Sequence, residues 1–262
     1  MNEGITISAA IVGRDIGPDE QQIDKRWLMA YSAGLGETAY PHALFPVCYE
    51  WPATRLLRER AGLVPIDARL VHAQHDLIIH RPPREEKLFI SGKVVAALQR
   101  KPGVLVVYRF ETRDARGEPV STTDFSALYR GAKLDGADRA IAALDDPPKH
   151  TQELTEISQI SVAATAAHVY TECARIWNPI HTDVDYARAA GLPDIILHGT
   201  ATLALSVSRL RMKSVRRIRC RFAGMVLMPS TLTVHASREG DAIIFETRDS
   251  HGETVIERGW IG

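Results

Sequence analysis

The sequence predicts an α+β protein made of two similar units, each with helices ahead of an antiparallel meander. A repeat is the first observation behind this. Residues 110–120 read FETRDARGEPV and residues 245–255 read FETRDSHGETV, identical at eight of eleven positions at a constant offset of 135. Each copy reads as a strand, a polar turn ending in glycine (Gly117, Gly252) and a returning strand, which is hairpin chemistry. The order of segments is the second observation. Helical stretches open each half: Asp24–Ala33 and Val47–Arg60 in the first, Ala163–Arg175 and Ile196–Leu210 in the second. Strand-like runs follow them, Leu88–Val95 and Val104–Phe110, then Thr231–Ala236 and Ala242–Phe245. Helices grouped ahead of strands fit α+β rather than alternating βαβ. The length is the third: 262 residues hold two domains of ordinary size.

One long helix wrapped by an antiparallel sheet is the hotdog arrangement, and two fused copies make a double hotdog. The expected division is a substrate-holding hotdog over 1–130, a linker over 131–156 and a second hotdog with the chemistry over 157–262. The linker, GAKLDGADRAIAALDDPPKHTQEL over most of its length, is polar, carries Pro147-Pro148 and has room for one short helix.

Composition narrows the function. Apolar residues make up 45% and charged residues 24%, enough for a buried core. The formal net charge is zero, which gives no pull toward nucleic acid or an anionic membrane. No apolar run reaches the ~20 residues of a membrane helix. The start, MNEGITISAAIVGRDIG, lacks the basic-then-apolar pattern of a secretory signal. Three scattered cysteines, Cys48, Cys173 and Cys220, fit reduced thiols in a cytoplasmic protein.

The chemistry is expected in residues 168–200, HVYTECARIWNPIHTDVDYARAAGLPDIILHGT. A residue before proline avoids the helical region, so Trp177-Asn178-Pro179 makes a turn and His181 follows it. Thr182 reads as an N-cap with Asp185 three residues on, and Gly191 reads as the C′ glycine of a short helix. His198-Gly199 falls near the start of a buried helix, where free N–H groups and the positive dipole end suit a thioester oxygen gaining negative charge. Close packing of helix on sheet accounts for Gly199 almost as well. His181 alone reads more often as a turn histidine than as a catalyst, and His198 equally as a satisfied core residue.

The order NPIHTD, then the glycine of LHG eighteen residues after His181, resembles the MaoC-like dehydratases, including the (R)-specific enoyl-CoA hydratases called hydratase 2. The later run CRFAGMVLMPSTLTV is similar to the family's strand pair. In the first half, AYSAGLG at 30–36 and HAQHDLIIHRPP at 72–83 resemble the degenerate, substrate-holding hotdog of two-domain members. The resemblance implies reversible hydration of a trans-2-enoyl thioester to an (R)-3-hydroxyacyl thioester. It implies His181 as acid/base, Asn178 as its support and the Gly199 N–H as oxyanion donor. It also implies an aspartate two positions before the asparagine, where this chain has Ile176.

Isoleucine neither accepts nor donates a proton, and losing a general acid or base costs on the order of 10² to 10⁴ in rate. Glu172 is one substitute, one turn before Ile176 and on its face if the helix persists. Glu50 is another, near the start of the first half's long helix; related single-hotdog dehydratases resemble this in taking an acid from the opposing unit. Asp183 suits capping better. The alternatives to a hydratase are a hotdog acyl-CoA thioesterase and a non-catalytic acyl-CoA-binding relative.

Trp177, Pro179 and His198 are expected to line the substrate. Arg219 and Arg221 alternate with apolar residues on a strand, which puts a basic face toward the phosphates of coenzyme A or simply toward solvent. His72 and His80, eight apart, are expected on one strand face and His75 on the other. No metal-ligand spacing appears, so no metal and no cofactor beyond the coenzyme A of the substrate are expected. The expected partners are an acyl-CoA or acyl-carrier thioester and a second copy of the chain in a homodimer, with no nucleic acid and no membrane.

Overall fold

The structure is a computed structural model and describes residues 5–262. It resolves into two compact units. Among the described residues, unit 1 comprises 5–22, 49–81 and 86–146, and unit 2 comprises 23–48, 82–85 and 147–262.

Unit 1 holds β1 (Thr6–Ser8), β2 (Asp15–Ile23), β3 (Leu70–Ile79), β4 (Glu86–Arg100), β5 (Gly103–Asp114), β6 (Pro119–Arg130), β7 (Lys133–Asp135) and β8 (Arg139–Ala140). Strands run in the order β2-β4-β5-β6-β3, with β8 also on β4 and a separate parallel pair of β1 and β7. Tyr49, Glu50, Ala53, Thr54, Leu57, Arg58 and Ala61 are buried along the long helix Pro46–Ala61. Their spacing is one apolar helical stripe interrupted by polar groups.

Unit 2 holds β9 (Thr155–Val162), β10 (Arg217–Phe222), β11 (Ser230–Glu239), β12 (Ala242–Arg248) and β13 (Thr254–Ile261), ordered β10-β13-β12-β11-β9. In chain order the helices are α1 (Lys25–Gly34), α2 (the long helix already described), α3 (Ala166–Ala174), α4 (Val184–Ala189) and α5 (Gly199–Leu210). Helix α5 buries Ala201, Leu203, Ala204, Val207 and Leu210 and packs on β9 and β11. Helix α1 comes from the first half of the sequence but packs on α3. A Cβ on Gly34 would meet the Cys173 sulfur at 2.9 Å, so the helices touch there only because the side chain is missing.

The repeat is two hairpins with the same turn. Asp114 Oδ1 accepts the N–H groups of Arg116 and Glu118; Asp249 Oδ1 accepts those of His251 and Glu253. Gly117 and Gly252 take φ of 83° and 79°, which side-chain-bearing residues avoid. The repeated Phe110 and Phe245 each cover a glycine on the adjacent strand, Gly92 and Gly259.

Four local expectations are corrected. The 131–156 segment forms no helix. Ile141 N–H donates to the Val95 carbonyl, and Ala142 and Leu144 pack on Val95, Ala96 and Val107, so a sheet edge and an apolar face win over local helix preference. The cap of α4 is Asp183, which accepts the Tyr186 N–H, while Thr182 ends the preceding turn. Helix α5 begins at Gly199 rather than Ile196, because Ile196 is bridged to Leu227 in extended conformation. A bulge between His72 and Gln74 shifts the phase of β3, so His72 and His75 share a face with ring centroids 5.4 Å apart. His80 lies exposed beyond the strand, within 3.0 Å of Thr122 Oγ1.

Candidate functional site

Helix α3 stops at Ala174 because Arg175 turns left-handed, at φ 57°, and the Arg175 and Ile176 N–H groups return to the Glu172 and Thr171 carbonyls. Arg175 lies over the Trp27 ring at 4.2 Å and pairs with Asp24, the N-cap of α1, at 3.5 Å. Asn178 is extended ahead of Pro179, and its Oδ1 accepts the Ile180 N–H at 3.5 Å. The single 3-10 turn Pro179–His181 then swings His181 inward.

His181 is buried, and its Nδ1 donates to the Ile196 carbonyl at 2.8 Å. A carbonyl only accepts, so the proton sits on Nδ1 and Nε2 keeps its lone pair. The ring stacks on His198 with centroids 3.6 Å apart. Thr171 Oγ1 lies 3.3 Å from His198 Nε2; His198 Nδ1 makes no hydrogen bond of full geometry, and the Ile176 backbone only partly offsets its desolvation. Burial pushes His181 down to about 4 and holds His198 well below the usual imidazole range. Both rings are therefore neutral at pH 7.

His198 is the N-cap residue of α5, with Gly199 as the first helical residue. A Cβ at Gly199 would meet the Phe222 ring at 3.2 Å. The glycine therefore brings the helix start close to the end of β10. Tyr170 OH donates to Thr200 Oγ1 at 3.0 Å, lies 3.3 Å from Tyr31 OH, and its ring is 4.9 Å from His198.

The structure thus gathers Asn178, Pro179, His181, His198 and Gly199 in unit 2. Trp177 is 62% exposed beside them. Glu172 is exposed, and because α3 ends before Ile176 the two do not share a helical face. Ile176 itself is buried. Arg219 and Arg221 are partly buried on β10, and Arg221 pairs with Glu257 of β13 at 3.1 Å. Glu50 belongs to unit 1. Its Oε1 accepts the Ser121 and Thr123 hydroxyls at 3.2 and 2.8 Å, and burial pushes its carboxyl up to about 8. Tyr31, Tyr170, Thr171 and Thr200 carried no signal in the sequence reading. Their role depends on α1, α3 and α5 meeting.

A double hotdog with a half-buried Asn-Pro-x-His turn, its histidine buried against a His-Gly helix start, defines the class. Residues 145–258 match the MaoC like domain. It is 26% identical over 222 residues to the peroxisomal multifunctional enzyme type 2 of Mus musculus, covering 78% of this chain and 29% of that protein. Against the peroxisomal enoyl-CoA hydratase 2 of Arabidopsis thaliana it is 24% identical, covering 73% of this chain and 67% of that protein. Its fold is that of a MaoC-like dehydratase from Phytophthora capsici, with a TM-score of 0.82, 17% identity and coverage of 96% and 95%. The chain spans less than half the length of several multifunctional relatives.

Proposed function

We propose that the chain is an acyl-CoA hydratase/dehydratase that reversibly adds water to a 2-enoyl thioester. The observation that carries this is the neutral His181, fixed by Ile196 so that Nε2 is a free base in the turn that precedes the start of α5. Nε2 takes a proton from water while the water oxygen bonds to C3. The C2=C3 electron pair moves to the thioester oxygen, whose charge the Gly199 N–H receives. The same proton then passes from His181 to C2, so one base completes the addition without a carboxylate at 176. Asn178 holds the turn, and the apolar Trp177 and Pro179 suit the acyl chain. Arg219 and Arg221 suit coenzyme A phosphates, with Arg221 shared with Glu257. The names of the relatives support the substrate class. A cytoplasmic homodimer acting on acyl-CoA or acyl-carrier thioesters completes the reading.

Ile176 favours a second reading. One base and one oxyanion donor also suffice for thioester hydrolysis, whose thiolate leaving group needs little acid help. The pure protein is incubated with a panel of enoyl-CoA and 3-hydroxyacyl-CoA compounds, with H181A and E50Q beside it. Hydration removes the enoyl absorbance without releasing thiol, and H181A lowers the rate by on the order of 10² to 10⁴. Free thiol supports hydrolysis. Binding without turnover across the panel sinks both enzyme readings.

A further inference from the structure

Helix α5 carries four hydroxyls, and two of them make no bond back along the helix: Ser208 Oγ lies 3.2 Å from His42 Nε2, and Thr200 meets a tyrosine. Thr202 and Ser206 donate to the carbonyls four residues back, His198 and Thr202, as helical hydroxyls commonly do. Thr200 instead receives a hydrogen bond, from Tyr170 OH. Its own four-back carbonyl is Ile196, which lies in the extended bridge ahead of the helix and already accepts His181 Nδ1. The Thr200 proton is thereby left for another acceptor, one residue after Gly199 and on a partly exposed side chain. Tyr31 OH, 3.3 Å from Tyr170 OH and 3.5 Å from the Leu44 carbonyl, shares its proton between the two and forms the next link of the chain. Hydroxyls bonded in series polarise one another, so a hydroxyl that accepts becomes a better donor. Tyr31 and Tyr170 are both buried, which restricts their movement. His198, 2% exposed, lies at the same helix start, its Nδ1 making no hydrogen bond of full geometry.

We propose that the Thr200 hydroxyl is a second donor to the thioester carbonyl oxygen beside the Gly199 N–H, with Tyr170 as the residue that positions it. The proposal rests on the reading of this site as one that takes enoyl thioesters. In the step described above, the electron pair leaving C2=C3 comes to rest on an oxygen held by two donors. Both release it when C2 takes its proton.

The test combines rate with a spectrum. A 2,4-dienoyl-CoA absorbs at longer wavelength when its carbonyl is polarised, and H181A protein holds it with little turnover. Thr200→Val should lower kcat/KM by on the order of 10², mainly through kcat, the size seen when one oxyanion donor is removed. Placed in the H181A background, it should also remove most of the red shift. Thr200→Ser, which keeps the hydroxyl, should restore both, and Tyr170→Phe should fall between. Thr200→Ala serves where the valine variant fails to fold. An unchanged red shift in T200V overturns the proposal whatever happens to the rate, since a packing defect alone would leave the polarisation intact. So does a wild-type enzyme that hydrates while its H181A form shows no red shift. In either case the hydratase reading survives. A wild-type protein that neither binds nor turns over enoyl thioesters sinks that reading first, and this proposal with it.

Discussion

The two units each bury ionisable groups, but the groups respond to pH in opposite directions. In unit 1, Glu50 sits under the hydroxyls of Ser121 and Thr123 with its carboxyl pushed up to about 8. In unit 2, His181 and His198 stack at the start of α5 with their imidazoles held low. Each group is therefore neutral at pH 7, and for the same reason: burial penalises the charged form whichever sign it carries. The linkage signs differ. As pH rises above about 4.5, the unfolded chain releases the Glu50 proton while the folded chain keeps it, so stability falls toward pH 8. As pH drops below about 6.5, the unfolded chain takes up histidine protons that the folded chain refuses, so stability falls toward pH 4. Histidine burial is not confined to unit 2: His42 there, and His72 and His75 in unit 1, are also held low by desolvation.

The largest expected effect is this acid limb. The five desolvated histidines should make stability fall between pH 6.5 and pH 4, each by ~1.4 kcal/mol per unit that its folded pKa lies below its unfolded one. Urea unfolding across that range measures it, and a flat profile would contradict the burial. Next is Glu50→Gln. It should stabilise the protein at pH 8 by roughly 1–3 kcal/mol and give no gain at pH 4, a pH-dependent difference that plain repacking would not produce.

A smaller effect tests the repeat itself. Thr112 and Thr247 are copies 135 residues apart, both fully buried. Thr247 Oγ1 pairs with Ser206 at 2.8 Å, whereas Thr112 Oγ1 has no hydrogen-bond partner among the described residues. Thr247→Val should cost about 1 kcal/mol, and Thr112→Val should be neutral or stabilising by a similar amount. Equal costs would show that the two copies are not differentiated there. The smallest effect is Arg175→Gly. The left-handed conformation favours glycine by about 1 kcal/mol, but the contacts with Trp27 and Asp24 are lost, so the melting temperature should barely move.

Much of the fold was legible because it rests on local rules. The two hairpins follow from aspartate and glycine at fixed places in the turn, and four helices follow from apolar spacing. The Asn178–His181 turn follows from proline chemistry, and Gly199 at a helix start from the sequence LHG. The errors share one cause, competition from a partner distant in sequence. Residues 131–156 prefer a sheet edge to a helix, β3 bulges at His72, and α3 ends at Arg175, so Glu172 loses the face it was expected to share with Ile176.

The sequence by itself determined the α+β class, the duplication, the Asn-Pro-Ile-His turn and the absence of a carboxylate at Ile176, since each is written in adjacent residues or a fixed offset. Only the tertiary structure decided the state of the site. Burial is a property of packing, so it alone made both histidines neutral. The tautomer of His181 depends on a carbonyl fifteen residues away. The chain of Tyr31, Tyr170 and Thr200 exists only because α1, α3 and α5 are brought together.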